Sequence, residues 1–277
     1  MADLDSYLRM QKAEYAREFR DRGEEYVVGH YPFHENFPYE THLLHLFGDV
    51  RRPIFNGFGG RTALDYGCGE GRMIRRLSGV FERVDGVDIS EDMAANARAR
   101  CPESNIWVTE GRDCAGAPSD AYDLVFTTIS LQHVGSFSVR DSILRDLRRV
   151  MKPGGKATLQ MLFSKHYPFR SMNAMGAVGN TLVEILPHDG QHAGWFDDRF
   201  DATLTNSGCD TMIGTRDLPE IRRYLETMFQ DVEFWFHDIS IGRGEPRILP
   251  DTHPNSHIDD NYWGTHFIFL HFTKPPA

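Results

Sequence analysis

The residues best suited to chemistry are two aspartates around a glycine-rich turn. The stretch Asp65–Arg72 reads D-Y-G-C-G-E-G-R, and Asp88 follows it at the end of the stretch V-D-G-V-D. Glycine accepts positive φ angles and lets a ligand approach the backbone closely. A carboxylate at position 65 would repel a phosphate but would suit an ammonium group, and one at position 88 can accept both hydroxyls of a ribose. These residue types predict a site for a nucleoside that carries a cation and no phosphate.

A dinucleotide is the main alternative ligand for such a turn, and the spacing argues against it. The dinucleotide fingerprint Gly-x-Gly-x-x-Gly ends on a glycine that allows close packing of helix and strand. Counted from Gly67 and Gly69, that last position is Arg72, and the third glycine, Gly71, comes one residue early. We therefore expect the turn to face a different kind of nucleoside.

The turn has to be held between a strand and a helix. The residues before it suit a short buried strand, and apolar residues follow it at helical spacing: Met73, Ile74, Leu77 and Phe81. A second strand over 84–90 carries Asp88 near its end, and Ser90 is suited to cap a helix over 91–99. Because ligands in open α/β sheets bind at the carboxyl ends of the strands, Asp65 and Asp88 should meet there.

The rest of the chain predicts more alternation of strands and helices. Helices are expected over 4–20 and 39–47, and another begins near Ser138 as its capping residue. Residues 241–261 form a long loop rich in proline and histidine. Five further strands are expected, over 105–109, 122–127, 157–161, 232–236 and 265–273.

The stretch 60–163 resembles the class I S-adenosylmethionine (SAM) methyltransferases. Three motifs carry the resemblance, in order and at suitable spacing: T-A-L-D-Y-G-C-G-E-G-R from Thr62, Y-D-L-V-F-T followed by L-Q-H from Tyr122, and a helix leading into K-P-G-G and a strand. The resemblance implies an α/β Rossmann-like three-layer sandwich whose sheet has seven strands, mostly parallel, with the last antiparallel. It also implies an N-terminal helical cap or lid over 1–55, a methyltransferase domain over 56–277, and an insertion over 164–214 that builds the acceptor pocket.

The same resemblance implies a cofactor and the residues that hold it. The cofactor would be SAM, with S-adenosylhomocysteine as product, bound across the first, second and fourth strands. Ile89 would lie against the adenine, and Asp113 would recognise it, with Glu110 as a competitor for that role. The full set of expected cofactor-binding residues is Asp65, Gly67, Gly69, Gly71, Arg72, Asp88, Ile89, Asp113 and Thr128.

His133 is the candidate catalytic residue. An imidazole can take a proton from a hydroxyl at neutral pH and so activate it as a methyl acceptor. The alternatives are that His133 packs against the start of the following helix or contacts SAM. A base is required only if the acceptor arrives protonated, as a hydroxyl does.

The acceptor would be bound by the lid and the insertion. Aromatic and histidine residues in the lid (Tyr31 and His34, with His30 and Tyr39) and in the insertion (His192 and Trp195) are candidates, and the alternative is that they only cover the core. No metal is expected. The acidic and histidine residues of 188–198 could form a metal group, but the magnesium-binding relatives take their ligands from near the fourth and fifth strands, which favours a hydrogen-bonded loop.

Composition narrows the choice of partner. The formal net charge of −10 disfavours nucleic acid, and residues 128–131 read T-I-S-L where enzymes that methylate base amines carry Asn/Asp-Pro-Pro-Tyr/Phe. The four cysteines lack C-x-x-C spacing, and no signal core or long apolar run appears, so a cytoplasmic protein without membrane contact is expected.

We therefore expect methyl transfer to a hydroxyl, or to an amine, of a small metabolite such as a sugar or secondary metabolite. Three alternatives stay open: a protein or tRNA methyltransferase, a catalytically silent SAM-binding partner subunit, and an aminopropyltransferase, whose acceptor-side acidic motif is not evident. The oligomeric state is open, and a dimer is possible.

Overall fold

The computed structural model describes residues 4–22, 61–163, 174–178, 181–185, 192–198, 210–238, 247–250 and 266–277. The helix expected over 39–47 and the lid candidates Tyr31 and His34 lie outside these ranges, as does most of the insertion.

The described elements alternate along the chain much as the sequence predicts. The helices are α1 (Leu4–Arg22), α2 (Arg72–Leu77), α3 (Glu91–Arg100), α4 (Phe137–Val150) and α5 (Leu218–Glu226), with a 3-10 turn at Leu131–His133. The strands are β1 (Thr62–Tyr66), β2 (Arg83–Asp88), β3 (Ile106–Val108), β4 (Tyr122–Thr127), β5 (Met151–Phe163), β6 (Ala174–Val178), β7 (Thr181–Ile185), β8 (His192–Ala193), β9 (Asp210–Ile213), β10 (Gln230–Asp238), β11 (Arg247–Pro250) and β12 (His266–Thr273).

One mixed sheet has the strand order β11-β10-β12-β5-β4-β1-β2-β3, and β6 and β7 form a separate antiparallel pair. Strands β1 to β5 pair in parallel. Strand β12 inserts antiparallel between β5 and β10. The predicted α/β fold with a mostly parallel sheet and an antiparallel last strand is confirmed.

The structure adds strands to the seven that were expected. Strand β11 pairs antiparallel with β10 inside the stretch predicted to be a loop over 241–261. Strands β8 and β9 lie inside the predicted insertion, and β9 pairs with the end of β5. These additions give hydrogen-bond partners to strand edges that would otherwise expose their backbone groups. Sequence patterns do not show which loop will cover an edge.

Strand β5 begins at Met151, earlier than predicted, and therefore includes the K-P-G-G run. Two backbone bonds join this run to the end of β12: Gly154 N–H donates to the carbonyl of Lys274, and Lys274 N–H donates to that of Gly155, both at 2.9 Å. The glycines thus continue the sheet rather than only ending the preceding helix.

Two apolar clusters pack on opposite faces of the sheet and make the fold three-layered. One cluster joins α4 and α5 to the sheet through Val125, Ile143, Leu144, Leu159, Ile221 and Leu225. The other joins α2 and α3 to it through Ala63, Ile74, Leu77, Ala94, Ala97 and Phe126. Alternate residues of β4 and β5 therefore face different helical layers.

Serine side chains fix the starts of two helices. Ser90 accepts a hydrogen bond from Met93 N–H and caps α3, as predicted. At α4 the capping residue is Ser136, which accepts from Val139 N–H, so the prediction of Ser138 was wrong. The helix begins at Phe137, and both serines suit a cap, so the sequence alone did not separate them.

Candidate functional site

A cavity of about 190 Å³ lies at the carboxyl edge of β1, β2 and β4. Its wall includes the glycine turn, the ends of the three strands and two side chains of α1. The lining residues are Gln11, Tyr15, Asp65, Tyr66, Gly67, Cys68, Gly69, Glu70, Arg72, Met73, Arg75, Val87, Asp88, Ile89, Met93, Arg100, Thr109, Gly111, Thr128, Ile129, Ser130, Val134 and Ile143.

The glycine turn has a shape that other residues would disturb. Gly67 has a φ of +80°, and a Cβ there would lie 1.9 Å from the Oγ of Ser130. Gly69 also has a positive φ, but the nearest described neighbour of its Cβ position is the Met93 Sδ at 3.9 Å. The turn therefore packs tightly at Gly67 and leaves its backbone open to the cavity at Gly69.

Asp65 supplies a buried carboxyl group to the cavity wall. The residue is 2% exposed, and its Oδ1 has no hydrogen-bond partner within the described structure. Burial raises the pKa of Asp65 to about 8, with Arg72 opposing the rise and Asp88 adding to it. A buried carboxyl oxygen without a donor is an unsatisfied acceptor, and a ligand that brings a cation and N–H donors would satisfy it.

Asp88 ties the glycine turn to the end of β2. Gly69 N–H donates to its Oδ2 at 2.7 Å, and Ser90 N–H donates to its Oδ1 at 2.8 Å. Burial raises the pKa of Asp88, although these backbone N–H groups oppose the rise. Because a carboxylate has about four acceptor positions, each oxygen keeps room for another donor.

Helix α1 closes one side of the cavity. Gln11 Nε2 donates to the backbone carbonyl of His133 at 2.7 Å, and Gly135 N–H donates to the Tyr7 hydroxyl at 2.8 Å. These bonds hold Gln11 and Tyr15 against the cavity. Neither residue was predicted to belong to the site. Tyr15 lies on the apolar face of the helix predicted over 4–20, a position that equally suits simple packing.

Seven of the nine expected cofactor residues line the cavity: Asp65, Gly67, Gly69, Arg72, Asp88, Ile89 and Thr128. Gly71 and Asp113 do not. Gly71 has a φ of +79° and caps α2. Asp113 is exposed and accepts hydrogen bonds from Thr109 Oγ1 at 2.9 Å and Ala115 N–H at 2.8 Å. Two residues shortly before Asp113 in the chain, Thr109 and Gly111, do line the cavity.

Of the predicted catalytic and acceptor residues, the structure describes His133, His192 and Trp195, and none of these three is among the residues that line the cavity. The ring of His133 is half-buried and meets the ring of Tyr15 edge-on, with centroids 6.4 Å apart. Trp195 is 1% exposed and packs in the core, with the Arg140 guanidinium 5.4 Å from its ring centroid. His192 lies in β8, where only its backbone pairing with Asp210 is described. The functions assigned to these residues stay predictions.

Two carboxylates of the 188–198 stretch hold its backbone in place. Asp198 accepts from Ser136 Oγ at 2.6 Å and from Ser138 N–H at 2.8 Å. Asp197 accepts from Gly194 N–H at 2.8 Å. Across the described residues, no group of three or more His, Cys, Asp or Glu side chains is arranged to hold a metal ion.

Within the same described residues, no helix is both long and apolar enough to cross a bilayer.

Comparison with known proteins identifies the central part of the chain. Residues 64–159 match the family described as "Methyltransferase domain". A trans-aconitate 2-methyltransferase of Paracidovorax citrulli is 32% identical over 117 residues, which are 41% of this chain and 44% of that protein. A ubiquinone biosynthesis O-methyltransferase of Thiobacillus denitrificans is 29% identical over 159 residues, 56% of this chain and 62% of that protein. The chain thus spans about half the length of these curated relatives.

A solved structure extends the likeness of fold along the chain. The phosphoethanolamine N-methyltransferase 2 of Haemonchus contortus, in complex with phosphomonomethylethanolamine and S-adenosylhomocysteine, has a TM-score of 0.53 at 17% identity. The match covers 99% of this chain and 61% of that one, and at this identity it shows the fold alone. Residues 64–159 of this chain thus match a methyltransferase domain, and the resemblance to the class I SAM-dependent methyltransferases is confirmed.

Proposed function

We propose that this chain is a SAM-dependent methyltransferase that transfers a methyl group to a hydroxyl, or to an amine, of a small metabolite. Three findings support it: the methyltransferase domain over 64–159, the cavity at the carboxyl edge of the sheet, and O-methyltransferases and small-acid methyltransferases among the sequence relatives. The observation that carries the proposal is the unpartnered Oδ1 of Asp65 in the cavity wall.

The residues of the cavity fit SAM better than a phosphorylated cofactor. The buried carboxyl of Asp65 matches the ammonium group of the methionine part and would repel a phosphate. The backbone at Gly69 is open to the cavity, because a Cβ there would meet only the Met93 sulfur at 3.9 Å among the described residues. Asp88, held by two backbone donors, keeps acceptor capacity for the ribose hydroxyls.

These residues would divide the work of binding. Asp65 would hold the ammonium, Asp88 the ribose, and Ile89 the face of the adenine, with Thr109 and Gly111 near its edge. When bound, SAM supplies a methyl group on a positively charged sulfur. The chain contributes mainly position, since holding two reactants in line removes much of the entropic barrier. Gln11 and Tyr15 of α1 would cover the site and keep water out.

The acceptor pocket is proposed to combine the N-terminal lid, over 1–55, with the insertion over 164–214. His133 is the proposed general base for a hydroxyl acceptor, because its ring meets Tyr15, which lines the cavity. The variant His133→Asn should lower kcat, because an amide does not take a proton from the acceptor hydroxyl. A variant with the wild-type kcat would exclude this role.

Calorimetric titration with SAM and with S-adenosylhomocysteine tests the proposal first. Binding of both is expected, and no heat with either would refute it. Incubation with tritium-labelled SAM and a cell extract, followed by mass spectrometry of the products, then tests transfer. Label on a small molecule supports the proposal, whereas label on protein or tRNA would replace its acceptor. Binding without any transfer would favour a catalytically silent subunit.

A further inference from the structure

Helix α1 brings an unused hydrogen-bond acceptor to the cavity. Gln11 is 3% exposed and lines the cavity. Its Nε2 donates to the Tyr7 hydroxyl at 2.8 Å and to the backbone carbonyl of His133 at 2.7 Å. Within the described structure, its Oε1 accepts no hydrogen bond. A carbonyl oxygen in such a buried position needs a donor, and because Gln11 lines the cavity, a bound ligand can supply it.

The two bonds of Nε2 fix which way the amide group of Gln11 faces. A primary amide has two N–H donors and one carbonyl acceptor, and both donors are used here. The reversed amide would place Oε1 against the carbonyl oxygen of His133, and two acceptors cannot bond to each other. The oxygen is therefore the atom that Gln11 offers to a ligand, and it can bind only a donor such as an N–H or O–H group.

Helix α1 crosses the site at the end where the adenine is proposed to bind. A Cβ placed on Gly111 would lie 2.9 Å from the Cδ1 of Ile89 and 3.0 Å from the Cδ2 of Leu8, so these two side chains meet there. Gln11 follows Leu8 by three residues and lies on the same side of the helix. Its own bond reaches the carbonyl of His133. Helix α1 thus bridges the segments that follow β3 and β4, and Gln11 lines the cavity between them.

We propose that the carbonyl oxygen of Gln11 accepts a hydrogen bond from the exocyclic amino group of the adenine of SAM and so selects adenine among purine bases. The inference rests on the proposed methyltransferase function and names a residue that recognises its cofactor. The exocyclic amino group is the hydrogen-bond donor of adenine, and the ring nitrogens are acceptors. This amino group is neutral, so an uncharged amide oxygen matches it.

Two other candidates for this contact make hydrogen bonds within the protein. Asp113, the residue predicted to recognise the adenine, does not line the cavity, and its Oδ1 accepts from Thr109 Oγ1 and from Ala115 N–H. Thr109 Oγ1 donates to Asp113 and also accepts from Gly111 N–H at 3.0 Å. The Oε1 of Gln11 is bonded to no described residue, which leaves its full capacity as an acceptor for the ligand.

Two ligands and one side chain test this contact without a methyl acceptor. The ligands are S-adenosylhomocysteine and its analogue in which hydrogen replaces the exocyclic amino group. Calorimetry on the wild-type protein should give an affinity at least about tenfold lower for the analogue. Gln11→Met removes the amide, and the ratio of the two affinities should then fall about tenfold. A residue that only held α1 in place would weaken both ligands equally and leave this ratio unchanged.

Gln11→Lys tests the same contact if Gln11→Met does not fold or binds neither ligand. An ammonium group can still donate to the Tyr7 hydroxyl and to the carbonyl of His133, but it has no acceptor, so the ratio should fall in this variant too. Tyr7→Phe is the matched control, because it removes one bond that holds Gln11 and leaves Oε1 in place. Both affinities should fall together in Tyr7→Phe, and the wild-type ratio should be kept. Asp113→Asn should also keep the wild-type ratio.

Three results would overturn the inference. The first is equal affinity of the wild type for the two ligands, and the second is a ratio that falls less than about threefold in Gln11→Met and Gln11→Lys. The third is loss of the ratio in Asp113→Asn, which would return the recognition of adenine to Asp113. Wild-type protein that binds neither SAM nor S-adenosylhomocysteine would instead refute the proposed function, and the contact with Gln11 along with it.

Discussion

Protonation of Asp65 should couple SAM binding to pH. With a pKa of about 8 in the ligand-free protein, about 90% of the Asp65 carboxyl groups are protonated at pH 7. The ammonium of SAM favours the ionised form, so binding should release a proton. Ionising the group costs about 1.4 kcal/mol for each pH unit below its pKa. SAM affinity should therefore rise about tenfold per unit between about pH 5.5 and pH 7.

Calorimetry in two buffers of different ionisation enthalpy measures this release directly. About 0.9 protons per SAM are expected from Asp65 at pH 7. The titration should be run at or below about pH 7. There the α-amino group of SAM is mostly charged, because the ordinary pKa of an α-amino group is about 7.7–8.0. Asp88, whose pKa is also raised by burial, contributes to the same signal. The difference between wild type and Asp65→Asn isolates the part due to Asp65.

The variant Asp65→Asn should bind SAM weakly and without the steep pH dependence. Asp123→Asn is the control: Asp123 lies near the start of β4, at the opposite edge of the sheet, where it accepts from Lys152 at 2.7 Å. This control variant should keep the wild-type dependence of SAM affinity on pH. A wild-type affinity that does not change between pH 5.5 and pH 7, with no proton released, would show that Asp65 is already ionised and would refute the reasoning.

The same pKa shift predicts the stability of the ligand-free protein. Between its ordinary pKa of 3.8 and its raised pKa of about 8, Asp65 is protonated when folded and ionised when unfolded. The unfolded chain therefore binds fewer protons, and the contribution of Asp65 to stability falls as the pH rises through this window. At pH 8 the loss is on the order of 5 kcal/mol, so Asp65→Asn should unfold at a higher urea concentration than wild type there. Equal urea midpoints for wild type and Asp65→Asn at pH 8 would contradict this effect of Asp65 on stability.

Four further substitutions test the architecture of the site. Gly67→Ala places a Cβ 1.9 Å from Ser130 Oγ at a φ of +80°; it should lower the melting temperature and abolish SAM binding, and calorimetry showing normal affinity would contradict this. Arg140→Met removes the donor to the carbonyls of Gly194 and Trp195 and should cost about 3 kcal/mol in urea unfolding. Tyr7→Phe removes the acceptor of Gly135 N–H and should cost about 1–2 kcal/mol, whereas loss of the partly exposed Lys12–Glu110 pair in Lys12→Ala should cost less than about 1 kcal/mol.

The sequence by itself determined the centre of the site. A glycine is required where φ is positive and a Cβ would collide with a neighbouring atom. The turn around Gly67 can therefore be recognised from the residue types in the sequence. The positions of Asp65 and Asp88 follow from local pattern as well, because each stands at or next to the end of a short strand and the carboxyl ends of parallel strands meet at one edge. These features depend on neighbours in the sequence.

Tertiary structure alone decided what surrounds that centre. Gln11 is held at the cavity by a hydrogen bond to the backbone carbonyl of His133, 122 positions away in the chain. Nothing in the sequence around either residue predicts this contact. Asp113, predicted to read the adenine, is bonded to Thr109 and Ala115 and does not line the cavity. Such features arise from contacts between distant segments, and a glutamine or an aspartate in a sequence does not show whether a partner will be found in the fold.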